Sequence, residues 1–237
     1  MIGGAQPEGC ATGALTKPNT AMSSRTKDAA AGFRVHSGWA AAVAVCVERG
    51  SPVVLARQRV HLVETFTYEF RQPFHTAEKM LQGQAREFIA RMQAEARQLA
   101  YRAIRELESS TREQGVKLTR CGLPLASGRP LPVLEKILAS HALIHTADGE
   151  LFREALLGAS TRCGLQDFTI KERELLDRAG EVFGAKPNEM MRRVTELGSA
   201  LGSPWTQDEK FATLAAWLAL EAPLKNTSGE RSKLSAA

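Results

Sequence analysis

The stretch from Trp39 to Val47 constrains the fold more than any other part of the chain. Val43, Val45 and Val47 occupy one parity, and Ala42, Ala44 and Cys46 the other. An extended segment with this pattern is apolar on both faces. Such a strand needs cover on both sides, which calls for a sheet with helices packed above and below it. Glu48 to Pro52 reads as a turn, and Val53, Val54 and Leu55 open a second strand that runs to Val60 and closes a hairpin. From Arg59 to Phe70 the chain alternates again, with Val60, Leu62, Phe66, Tyr68 and Phe70 on one parity. This predicts a third strand or a bent continuation of the second.

Helical spacing takes over after Pro73. Leu81, Ala85, Phe88, Met92, Leu99, Ala103 and Leu107 recur at three- and four-residue steps, so a long helix is expected over 77–113. A short strand at 116–119 follows. A helical unit over 133–164 is expected to break at Asp148-Gly149. The last strand is expected at 165–170, with helices at 171–183, 188–201 and 206–220 after it. Thr206 and Glu209 have capping-box spacing. Residues 1–31 read as a disordered leader, 32–220 as a single domain and 221–237 as a disordered tail.

The chain has 237 residues, 43% hydrophobic and 24% charged, which suits an ordered core. It has neither an apolar run long enough for a membrane span nor a basic-then-apolar start. A cytoplasmic location is therefore expected, with Cys10, Cys46, Cys121 and Cys163 reduced and none in a C-x-x-C pair. Cys121 and Cys163 precede glycines at expected element ends, which points to exposure. Much of the net charge of +5 lies near the ends, in residues such as Lys17, Arg25, Lys225 and Arg231. The body is nearly neutral, so nucleic-acid binding draws little support from charge.

Three antiparallel strands followed by alternating helices and strands is an order that resembles the ribonuclease-H-like superfamily. Gly32 to Val45 (G-F-R-V-H-S-G-W-A-A-A-V-A-V) is similar to the opening strand of its bacterial Holliday junction resolvases. Asp208 to Leu218 is similar to their closing helix, where acids precede an alanine-rich stretch. The start Gly32 to Trp39 and the run Ser140 to Glu150 also resemble a bacterial family, a likeness that implies no activity. The superfamily resemblance implies an α/β mixed sheet with a helical C-terminal part, and a carboxylate cluster holding two divalent metals. Hard cations need several oxygen ligands, and the first aspartate stands on strand one. Gly32 to Gly38 contains no acid; Arg34 and His36 stand there instead. Asp208 matches a closing-helix ligand, and Glu64 or Glu69 is available from the expected third strand.

Histidine is the other candidate chemistry. His141 and His145 are four apart and share a helical face, a spacing that can hold zinc given a third ligand such as Glu150 or His36. Ala142 stands where H-E-x-x-H places its base. Catalytic candidates are His36, His141, His145 and Glu150. Ligand-binding candidates are Ser37, His75, Arg153 and Lys210. Metal candidates are His141, His145, Glu64 and Asp208. His36, His75 and His141 are expected to converge.

The leading reading is a ribonuclease-H-like domain that binds an unidentified ligand or protein partner without two-metal cleavage. One alternative is a hydrolase or nuclease working through the histidines or through displaced acids such as Glu48, Glu64 and Asp208. Another is an interaction module that forms a homodimer through the helix at 77–113. The residues name no cofactor.

Overall fold

The computed structural model describes residues 27–126 and 130–223. Five strands form one sheet: β1 (Lys27–His36), β2 (Trp39–Glu48), β3 (Ser51–His61), β4 (Val116–Leu125) and β5 (Gln166–Lys171). Their order is β3-β2-β1-β4-β5. The pairs β1–β2 and β2–β3 are antiparallel, while β1–β4 and β4–β5 are parallel. This is the ribonuclease-H-like topology.

The opening of the chain differs from the sequence reading. Strand one is Lys27–His36, and the Trp39 strand is the second. Gly32 to Val45 is thus a hairpin rather than one strand, turning at Ser37-Gly38 with Gly38 at φ +80°. Residues 27–31 are strand, so the order begins before 32; the rest of the expected leader lies outside the described residues, as does the tail beyond 223. The expected third strand ends at His61, and Tyr68–Arg71 (α1) and Pro73–Ala77 (α2) are helical. The long helix α3 starts later than expected, at Gln82, and ends at Glu113. The short strand expected at 116–119 runs on to Leu125.

Helices cover both faces of the sheet, as the doubly apolar strand requires. Odd residues of β1, namely Ala29, Ala31, Phe33 and Val35, join the core built with α3 and α5 (His141–Arg162). Even residues face α8 (Gln207–Glu221), where Ala30 packs on Ala212, Ala216 and Ala219. The apolar stripe of α3 is buried inside the chain against α5 and the sheet, and no large apolar side chain of α3 is exposed.

α8 approaches the sheet backbone to backbone. Gly32 and Gly122 pair across β1 and β4. A Cβ on Gly32 would lie 1.8 Å from the Ala212 carbonyl oxygen, and one on Gly122 would lie 2.2 Å from that of Ala215. Residues 211–219 are all buried. The outer side is closed by α6 (Leu175–Phe183) and α7 (Pro187–Leu201), whose Leu175, Ala179, Met190 and Val194 share a core with Trp217. The expected stripe is therefore a helix enclosed on all sides over residues 211–219. The Thr206–Glu209 capping box forms, and the Arg120 guanidinium donates to the carbonyls of Ala219, Leu220 and Ala222 at the other end.

Two local expectations fail for tertiary reasons. The break at Asp148-Gly149 does not occur; α4 (Leu134–Leu138) stops before Ser140, and α5 runs through both residues. Asp148 is anchored by bonds from another helix, which overrides its weak helix propensity. Cys121 is fully buried in β4 rather than exposed, and burial pushes its thiol up to about 12.

Candidate functional site

At the end of β1 the even parity that faces α8 delivers Arg34 and His36. Arg34 Nη1 donates to Asp208 Oδ1 at 2.6 Å, and Nη2 donates to Glu172 Oε1 at 2.7 Å. Asp208 belongs to the first turn of α8, where the helix dipole favours a carboxylate. Glu172 opens the 3₁₀ turn Glu172–Glu174 after β5. His36 Nε2 lies 2.8 Å from Asp208 Oδ1. Desolvation pulls Arg34 down, but the bonds and charges of Glu172 and Asp208 outweigh it and its pKa is raised. The guanidinium also lies 4.8 Å over the Phe211 ring.

The two-metal site that the resemblance implies does not fit these residues. β1 supplies no carboxylate, and a permanent cation occupies the space between the two acids that are present. Asp208, expected as a metal candidate, is bonded to Arg34 and His36. Glu64 is elsewhere, its backbone N–H donating to Glu95 Oε1 at 2.8 Å. Glu48 pairs with Lys27 at the far end of β2. The displaced acidic set is therefore not assembled.

A cationic aromatic surface adjoins this cluster through His36. Its ring stacks on Trp39 with centroids 4.4 Å apart, and the Arg59 guanidinium lies 3.7 Å over Trp39. Phe66 stacks with His61 at 4.9 Å, and Arg71 lies 4.8 Å from it. Phe66 is 37% exposed and Tyr68, two residues on, is 59% exposed. The sequence signal for this patch was present in residues 59–71. Its strand-like alternation masks the clustering.

His75, His141 and His145 do converge, without His36. Each offers one ligand nitrogen, and the three lie within 4.8 Å of one another. Sequence reasoning missed Asp148. It is 3% exposed, and its carboxylate accepts from the Phe74 backbone N–H at 2.7 Å and pairs with His75 Nδ1 at 2.5 Å. Burial pushes the Asp148 carboxyl up, against the opposing pull of His75 and Phe74. The spacing His141, His145, Asp148 marks one helix face and could have exposed it.

Glu150 is not in this group. It pairs with Arg153 at 3.3 Å, and burial raises its pKa. Ser37 occupies the β1–β2 turn. Lys210 lies half-buried in the first turn of α8 and forms no ion pair among the described residues.

No family model matches the chain, and no curated protein matches it. Solved structures do. That of Thermus thermophilus RuvC is 11% identical with a TM-score of 0.43, covering 79% of this chain and 90% of that one. That of T. thermophilus RuvC in complex with Holliday junction substrate is 10% identical with a TM-score of 0.44, covering 79% and 89%. The topology stated above rests on the strand order and pairing themselves.

Proposed function

We propose that this chain is a ribonuclease-H-like domain that binds single-stranded nucleic acid without cleaving it by two-metal chemistry. The observation that carries the reading is Arg34, forked between Asp208 and Glu172 at 2.6 and 2.7 Å where the superfamily resemblance implies divalent ions. The cationic aromatic surface beside it supports the ligand class. Arg59 and Arg71 are held against ring faces, so their charge is pre-oriented, and exposed Phe66 and Tyr68 offer flat apolar area. Guanidinium planes and rings beside one another suit bases and phosphates of a flexible strand.

The test is fluorescence anisotropy with labelled oligonucleotides, followed by a gel assay for cleavage with Mg²⁺ or Mn²⁺. Single strands are expected to bind with affinity that falls as salt rises. Arg59→Ala and Arg71→Ala are each expected to weaken binding and flatten the log–log salt slope by about 0.7. No cleavage is expected with either ion. Metal-dependent cleavage abolished by Asp208→Asn overturns the reading, and so does the absence of strand binding at low salt.

A further inference from the structure

We propose that His75, His141 and His145 form a binding centre for a zinc-class divalent metal ion, held in position by Asp148. This centre lies in the α3/α5 layer, on the other face of the sheet from Arg34, and does not depend on the nucleic-acid reading.

Ring orientation carries the inference. His75 meets His141 at 89° with centroids 5.4 Å apart, and meets His145 at 69° and 4.4 Å. His141 and His145 are 78° apart at 4.5 Å. The three rings are mutually steep rather than stacked, and one nitrogen of each lies within 4.8 Å of the other two. The Nε2 atoms of His141 and His145 stand 3.0 Å apart. A tetrahedral ion at ~2.05 Å from each nitrogen sets such atoms ~3.3 Å apart. A small rotation of the two exposed rings completes the triangle.

Asp148 fixes the third ring. With Nδ1 of His75 given to the buried carboxylate, its Nε2 is left as the free ligand atom. The carboxylate–histidine pairing is the arrangement that orients a metal-bound imidazole and raises its basicity. The Phe74 N–H fixes the carboxylate in turn. In the absence of an ion, the three rings can satisfy one another only through a chain of N–H···N bonds. A cation satisfies all three lone pairs together. Nitrogen ligands select zinc, nickel, copper or cobalt over magnesium or calcium. Exposure of His141 and His145 leaves the fourth position facing solvent, open to water or an exogenous ligand.

The experiment uses the untagged full chain, stripped with a chelator and titrated with Zn²⁺ by calorimetry and with Co²⁺ by visible absorption. One equivalent of Zn²⁺ is expected to bind, and Co²⁺ to show the intense bands of tetrahedral coordination. His141→Ala and His145→Ala change exposed side chains and are expected to keep the wild-type circular dichroism while losing saturable binding. Asp148→Asn is expected to weaken binding by 10- to 100-fold. His61→Ala is expected to bind as wild type. Failure of the wild type to take up one equivalent overturns the proposal, as does undiminished binding by the folded His141→Ala protein.

Discussion

Replacing Gly32 by alanine puts a methyl group 1.8 Å from the Ala212 carbonyl oxygen and 2.9 Å from Ala216 Cβ. An ordinary contact of this kind needs ~3.2 Å, so α8 has to recede by roughly 1.4 Å. Nothing nearby gives way. The obstacle is backbone, Ala212 and Ala216 are fully buried, and α6 and α7 close the outer side of the helix. Overpacking costs about 1–3 kcal/mol where side chains can adjust, and occasionally more. We expect about 3 kcal/mol or more here, since a whole helix is displaced. The displacement also carries Asp208 away from Arg34. Their 2.6 Å contact opens to roughly 4 Å, the limit of an ion pair. Urea denaturation reads the loss as a lower midpoint at unchanged slope. Gly158→Ala is the control. That glycine is exposed in α5 with no atom within 4 Å of an added Cβ, so alanine is expected to stabilise. The gain at such a helical position is about 0.5–1 kcal/mol. A Gly32→Ala protein within ~0.5 kcal/mol of wild type refutes the close packing of α8 on β1.

Arg34→Ala leaves Glu172 without its partner and Asp208 with His36 alone, their side chains 34% and 20% exposed. Solvent screens part of that loss, so we expect about 2 kcal/mol rather than the 3–5 of a fully buried broken pair, measured by urea melts. Cys121 is expected to resist alkylation in the native state and Cys163, half-buried, to react first of the two; peptide mapping by mass spectrometry reads the order. Burial raises the Glu150 pKa despite Arg153, with Glu154 adding to the rise. The unfolded chain therefore loses this proton first, and stability falls as pH climbs past the ordinary carboxylate range. Glu150→Gln removes the penalty, so its stability relative to wild type is expected to be greater at about pH 7 than at about pH 4. An equal difference at both pH values in chemical denaturation would contradict the assignment.

Much of this fold was legible where side-chain volume marks parity or turns mark ends. The β2–β3 hairpin was readable from its valines and from Glu48 to Pro52, and the α8 start from its capping box. β1 was not, because Lys27 to Gly32 is mostly alanine and glycine. Those small residues are there because α8 docks on them, and that is a property of the pair, not of the strand. Leu62, Phe66 and Tyr68 alternate like a strand but are placed by packing and by cations over Phe66. The i,i+4 histidine pair was visible as a ligand pattern, whereas His75 and Asp148 meet across 73 residues. Glu172 stands at a helix start, where a carboxylate is favourable in any case, and its partner Arg34 lies 138 residues earlier.

The even face of β1 explains how this sheet and α8 pack together without an acid on the first strand. Going up that face, the residues are Ala30, Gly32, Arg34 and His36. The helix presses closest at Gly32, and its first turn, with Asp208, leaves room for a long side chain beyond that point. A carboxylate placed there would face Asp208 and Glu172 directly. Three like charges so close coexist only with protons or divalent cations among them. A guanidinium bridges the same two acids, offsets their repulsion permanently and still lets α8 dock. Arg34→Asp therefore converts an ion-independent junction into an ion-dependent one. We expect this variant to melt below wild type in chelator and to recover stability as Mg²⁺ is added, while wild type shows no such rise. The mass-action gain is ~2.7 kcal/mol at a hundredfold excess of ion over its dissociation constant. Calorimetric melting over a Mg²⁺ series measures it. A variant as stable as wild type in chelator, or one that Mg²⁺ leaves unmoved, would mean that charge neutralisation at this corner is not what Arg34 supplies.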